Sequence, residues 1–159
     1  MLCFLIVMIE GVHIKKLVKR VDERGFVMEM LRSDDPFFEK FGQNYVSVCN
    51  PGFVKGWHYH SKQRDNFAVV KGNGKLVLYD CRENSKTKGE INEFIMGEKN
   101  TILVSIPKGV MHGFECVGDE SCYFVNCPTE PYNSKNPDEF RVNPFDNNIP
   151  YKWTAKKGK

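Results

Sequence analysis

Four residues in this chain have the types and the spacing to work on a small molecule together: His58, His60, Asp65 and His112. Side chains alternate across a strand, so two imidazoles one residue apart share a face. The turn over residues 61–64 lets the chain double back, so that Asp65 on the next strand faces the pair. His112 stands at the start of a later strand, in the stretch IPKGVMHGF. Gathered in one pocket, three imidazoles and a carboxylate have two chemical uses. An imidazole titrates near neutrality and can take a proton from carbon as a general base. Neutral imidazoles with one carboxylate also suit a divalent transition metal. The third reading is a set of satisfied histidines lining a pocket without an ion. The residues alone leave all three open.

Such a cluster needs adjacent strands to hold it, and the chain is rich in them. Segments 13–18, 25–31, 43–49, 53–60, 66–72, 75–80, 92–96, 101–106, 111–117 and 122–127 alternate with a period of two and carry Val, Ile, Phe and Tyr. Turn-forming runs such as CNPG, GNG, GEKN, PKG and GDES separate them. The one helical candidate is short, DDPFFEKF at 34–41, with an aspartate cap before Pro36. Short strands with almost no helix predict an all-β sandwich or barrel. From residue 128 the texture changes, with five of the eight prolines and little periodicity. This Pro-rich segment is expected to wrap the scaffold as ordered coil, closing a barrel mouth or reaching a neighbouring subunit.

The bulk numbers narrow the classes. A chain of 159 residues, 41% hydrophobic and 13% aromatic, is globular and can bury a sizeable core as one domain over 1–159. Net charge is +3, with bases and acids interleaved, so nucleic acid is not an expected partner. The basic end KKGK, within 154–159, reads as a frayed tail. None of the six cysteines pair as CxxC, and reduced thiols in a cytoplasmic protein are expected. The apolar opening over 1–7 is too short to span a bilayer and lacks a leader's basic start. It reads as a mis-assigned start or an extra edge strand, and no membrane partner is expected.

The cluster and its flanking glycines resemble the cupin family, whose fold is a double-stranded β-helix, a jelly-roll barrel. Gly52, His58, His60, Asp65 and Gly72 follow the spacing of the first cupin motif, with Asp for the usual Glu. Pro107, Gly109 and His112 follow the second. Metal cupins hold one divalent ion with the equivalents of His58, His60, Asp65 and His112; many cupins hold none. No cofactor is the main expectation here, with a divalent metal as the alternative.

A closer resemblance, over roughly residues 8–153, is to the dTDP-4-dehydrorhamnose 3,5-epimerase family, itself a cupin. It rests on DERGFVME (22–29), FGQNYVSV (41–48), KGWHYH (55–60), YDCRENSKTKG (79–89), IPKGVMHGF (106–114), a late Pro-Tyr-Asn and IPYKW (149–153). The resemblance implies a homodimer that abstracts and returns a proton beside the ketone of a dTDP-4-keto-6-deoxy sugar, in surface-polysaccharide precursor synthesis. It implies His58 as the base and Arg24 with Glu29 as contacts to the nucleotide diphosphate, often across a dimer interface. Gln43 and Ser47 match family substrate positions, and Tyr132 matches a second family tyrosine and is the candidate acid. Lys55 and His60 replace the arginine and glutamine of the family's histidine box. Asp65 stands where the family has an enolate-stabilising lysine, and Asn126 where it has a catalytic tyrosine. The aspartate that orients the family's histidine belongs to a C-terminal extension not expected before Lys159. Asp65 would then tune a histidine or bind a metal. The rival readings are a related sugar-nucleotide isomerase, a metal-dependent cupin enzyme and a non-catalytic sugar-binding cupin. Arg82 is expected in a structural ion pair with Asp80 or Glu83, and Tyr123 on the strand face opposite Asn126.

Overall fold

A computed structural model describes residues 7–159; most of the possible start segment, residues 1–6, lies outside them. The described residues form thirteen strands: β1 His13–Lys16, β2 Lys19–Asp22, β3 Gly25–Met28, β4 Tyr45–Cys49, β5 Phe53–Tyr59, β6 Asp65–Lys71, β7 Asn73–Tyr79, β8 Ile91–Gly97, β9 Ile102–Ile106, β10 Met111–Cys116, β11 Cys122–Asn126, β12 Phe140–Arg141 and β13 Lys157–Gly158. Two sheets carry the fold. One runs β1-β9-β6-β11-β4, the other β12-β5-β10-β7-β8 with β13 beside β5, and β2 and β3 make a separate hairpin. The sheet strands pair antiparallel apart from the short β13–β5 contact. This is the jelly roll that the strand pattern and the cupin resemblance predict.

Two expectations need correction. DDPFFEKF forms no helix: Phe38 N donates to Asp35 O at 2.9 Å, but the turn does not propagate. Eight residues are marginal for a helix, and here side-chain anchors win. The would-be cap Asp35 accepts instead from Lys15 Nζ at 2.7 Å and Arg32 N at 2.8 Å, and Phe37 packs against Leu17, Ala68 and Leu103. The basic tail also differs from the expected frayed end, because Lys157 and Gly158 lie beside Phe53 and Val54 of β5. Gly158 permits this, since a Cβ there would run into Val54 O. The hairpin strand β2 is an element the periodicity did not separate from its neighbours.

The core is divided along the barrel. Phe67, Phe114 and Phe124 pack ring against ring between the sheets, with Phe114 and Phe124 centroids 4.2 Å apart, and Leu76, Leu78 and Met96 fill in around them. Each such side chain contributes roughly 1.5–3 kcal/mol on burial. A second cluster lies outside β5 and β10, where the wholly buried Trp57 meets Trp153 of the C-terminal segment at 4.8 Å. Trp57 also exchanges backbone hydrogen bonds with Val142. Beyond residue 128 the chain is thus tied to the outer face of the sheet that carries His58.

Candidate active site

The histidines meet because of how β5 and β10 pair. His58 lies opposite His112, and a register shift follows immediately between His112 and Gly113. The two backbones come unusually close there: a Cβ on Gly56 would meet the Gly113 Cα at 2.6 Å. The imidazole centroids of His58 and His112 are 4.2 Å apart, and that of His60 is 5.7 Å from each. Asp65, at the head of β6 in the other sheet, closes the cluster. Its Oδ2 is 3.4 Å from His60 Nε2 and 3.4 Å from His112 Nε2.

The hydrogen bonds around the rings assign their protons. His112 Nδ1 donates to Val110 O at 3.0 Å, and His60 Nδ1 donates to Asp138 O. In a neutral imidazole one nitrogen is the donor and the other carries a lone pair. Both Nε2 atoms lie against Asp65 Oδ2, and the buried His112 Nε2 has no hydrogen-bond partner. Burial drives the His58 and His112 pKa values down, and the neighbouring histidines add to the effect. For His112 the Asp65 charge pulls partly back. At neutral pH His58 is uncharged and able to accept a proton.

Asp65 is held from its other side. Its Oδ1 accepts from Gln63 Nε2 at 2.9 Å and from Asn126 Nδ2 at 2.7 Å. The orientation of Asn126 is settled by Asn66 N, which donates to its Oδ1 at 2.9 Å. The second Nδ2 proton goes to the Tyr45 hydroxyl at 2.9 Å.

The cluster opens onto a cavity of about 1060 Å³, large enough for a sugar nucleotide. Of the residues expected at the site, Gln43, Ser47, Lys55, His58, His60 and Tyr132 line it. Lys55 Nζ donates to Ser47 Oγ at 3.0 Å, joining the two walls. Asp65, His112 and Asn126 are buried behind this surface. Arg24 and Glu29 are not brought to the cavity of their own chain. Arg24 is 82% exposed on the β2–β3 turn and pairs with Asp22, while Glu29 pairs with Arg32. Tyr123 packs beside Lys71, away from Asn126. Three residues of the site escape the sequence reading: Tyr45, Gln63 and Asp138. Tyr45 had a signal, since it stands between Gln43 and Ser47 at spacing two on the same strand face. Asp138 had none, because its site contact is a backbone carbonyl.

The donor set fits a divalent cation. His58, His60 and His112 each offer a nitrogen within 4.8 Å of the others. The Nε2 atoms of His60 and His112 also converge on one carboxylate oxygen of Asp65, where a positive charge would be stabilised. His58, His60, Asp65 and His112 are the residues that would hold such an ion.

The comparisons with known proteins agree with this architecture. Residues 7–159 match the dTDP-4-dehydrorhamnose 3,5-epimerase family. The spore coat polysaccharide biosynthesis protein SpsL of Bacillus subtilis is 44% identical over 149 residues, covering 94% of this chain and 99% of that protein. The probable low-salt glycan biosynthesis epimerase Agl13 of Haloferax volcanii is 39% identical, over 87% of this chain and 89% of its own length. The crystal structure of a dTDP sugar isomerase from Desulfovibrio desulfuricans superposes with a TM-score of 0.84 at 34% identity, covering 95% of this chain and 97% of that one. By sequence and by fold, the chain belongs to the dTDP-4-dehydrorhamnose 3,5-epimerase family.

Proposed function

We propose that this protein epimerises a nucleoside-diphosphate 4-keto-6-deoxy sugar at a carbon beside its ketone, with His58 as the base, during surface-polysaccharide synthesis. The observation that carries the reading is a neutral His58 on the wall of a cavity of sugar-nucleotide size. The family match and the relatives named for polysaccharide and glycan synthesis support the substrate class and the setting.

In the first step the α-carbon loses its proton to His58, and the electron pair moves into an enolate. The imidazolium so formed is costly in a buried site, and two groups offset it: the enolate itself and the Asp65 carboxylate behind His112. Lys55 and the hydroxyl of Tyr132 border the same space and are the proposed polar contacts to the sugar, with Gln43 and Ser47. Return of a proton to the opposite face completes the inversion. A homodimer is the proposed assembly. It gives Arg24 and Glu29 a second copy's nucleotide to bind, and the exposed Val21, Phe26 and Val27 of the same hairpin a surface to cover.

A bound divalent metal is the second reading, favoured by the unpartnered Nε2 of His112. Such an ion supplies Lewis-acid stabilisation of an enolate oxygen, and His58 is then a ligand and not a free base. Elemental analysis of protein purified without chelator separates the two, stoichiometric metal supporting the second. Among the described residues no helix is long and apolar enough to cross a membrane.

The direct test is deuterium incorporation at C3 and C5 of a dTDP-4-keto-6-deoxy sugar in D₂O. Wild type is expected to exchange, and His58→Ala to lose exchange. A wild type that binds the sugar nucleotide without exchanging it would be a binding protein.

A further inference from the structure

Inversion at carbon needs two groups on opposite faces of the sugar, a base and a proton donor. His58 comes from β5, in the six-stranded sheet. The facing wall, built by β4, β11 and β6, can supply its counterpart. Along β4, three polar side chains at alternate positions are among those that line the cavity: Gln43, just before the strand, Tyr45 and Ser47. The Ser47 hydroxyl is engaged by Lys55, and a glutamine amide has no proton to give at neutral pH. Tyr45 is different. Asn126 is locked by Asn66 N, so its amide must donate to the Tyr45 oxygen and not accept from it. The phenolic proton is thereby left free to point into the cavity.

We infer that Tyr45 is the catalytic acid, protonating the enolate carbon on the face opposite His58, and that Asn126 is its positioning residue. The inference rests on the epimerase reading above and adds the proton donor to it. The balance is simple: the O–H bond of Tyr45 breaks, a C–H bond forms on the inverted face, and the sugar leaves with its ketone restored. Tyr45 is left as a phenolate and His58 as an imidazolium, and solvent at the cavity mouth returns both to their starting forms. No electron is gained or lost. Burial, followed by the Asp65 charge, pushes the Tyr45 phenol up to about 12, so it carries its proton throughout the neutral range. An enolate carbon is a far stronger base than a phenolate, and the transfer runs downhill. Asn126 bridges Tyr45 and Asp65 through its two amide protons, which sets the phenol's position relative to the histidine cluster.

The test follows deuterium exchange and inverted product separately in D₂O, using a dTDP-4-keto-6-deoxy sugar. Tyr45→Phe removes one oxygen from a ring at the cavity surface. It should keep His58-dependent exchange within about threefold of wild type while inverted product falls by about 10²-fold or more. His58→Ala should lose both. Asn126→Leu should lower inversion by a larger factor than exchange. Fluorotyrosine at position 45 has a more acidic phenol and should move the alkaline limb of the inversion rate to lower pH, a change that a purely structural ring would not produce. If Tyr45→Phe inverts within about twofold of wild type, or Tyr132→Phe shows the selective loss instead, the assignment is wrong. If wild type shows no exchange, the epimerase reading fails and the role of Tyr45 falls with it. A wild type that exchanges and inverts alongside a fully active Tyr45→Phe refutes the acid alone.

Discussion

Two buried aspartates in this protein are treated in opposite ways. Asp80, wholly buried at the end of β7, is surrounded by donors. Its Oδ1 accepts from Arg82 Nε at 2.8 Å and N at 3.2 Å. Its Oδ2 accepts from Arg82 Nη2 at 2.9 Å, Ser85 Oγ at 2.6 Å and Thr87 Oγ1 at 2.7 Å. The network extends to Glu10, whose backbone N donates to Thr87 Oγ1 and whose backbone O accepts from Arg82. Asp65 is as deeply buried, but its Oδ2 lies 3.4 Å from the Nε2 atoms of His60 and His112, farther than any donor around Asp80. A carboxylate whose lone pairs are all satisfied fastens a turn. A carboxylate left partly unsatisfied among titratable rings stores an interaction that can strengthen when a proton or cation arrives. The first region holds the fold together and the second is poised for chemistry.

Substitutions can break this contrast. The largest effect is expected at His58: His58→Ala should cut α-proton exchange by about 10²–10⁴-fold, with a melting temperature close to that of wild type. Asp80→Ala should do the reverse. Removing one partner of a buried ion pair costs about 3–5 kcal/mol, so urea unfolding should shift markedly while exchange per folded molecule is unchanged. Asp65→Asn tests the other aspartate, with an expected activity loss of about 10–100-fold by analogy with outer-shell partners of catalytic groups. Its unfolding free energy should move by less than that of Asp80→Ala, because the lost charge had poor partners. If Asp65→Asn destabilises as much as Asp80→Ala, the contrast fails.

The smallest effects are in pH. Burial alone would raise the Asp80 carboxyl, but the Arg82 guanidinium and the Ser85 and Thr87 hydroxyls hold it well below the usual carboxylate range. An unfolded aspartate titrates near about 3.9, so the unfolded chain takes up the proton first as pH falls. The stability from Asp80 is therefore fully present above about pH 4 and is lost on acidification below it. Melting curves between about pH 5 and pH 3 should show this decline, and Asp80→Ala should flatten it. The His58 pKa is lowered by burial and then by His112, His60 and Arg141, so the acid limb of kcat/KM should lie below the ordinary imidazole value of about 6.5.

Much of this was readable from residue order. Period-two alternation marked the ten principal strands and put His58 and His60 on one strand face, and the cupin resemblance implied the jelly roll that gathers Asp65 and His112 with them. Local rules suffice there, because strand faces follow from backbone geometry alone. The same rule on β4 aligned Tyr45 with Gln43 and Ser47, but nothing local distinguished a packing ring from a reactive phenol. At 34–41 an aspartate before Pro36 is a local helix signal, and the partners that override it, Lys15 and Leu103, are distant in sequence.

What the residue order determined, then, is the set of strands and the strand face that His58 and His60 share. The tertiary structure alone decided which groups meet. Tyr45 reaches Asn126 across 81 positions because β4 and β11 pair in one register. Asp138 selects the His60 tautomer from 78 positions away. Such contacts depend on sheet register and on the path of the C-terminal segment, which arise from the summed burial of the whole core and not from any short stretch of chain.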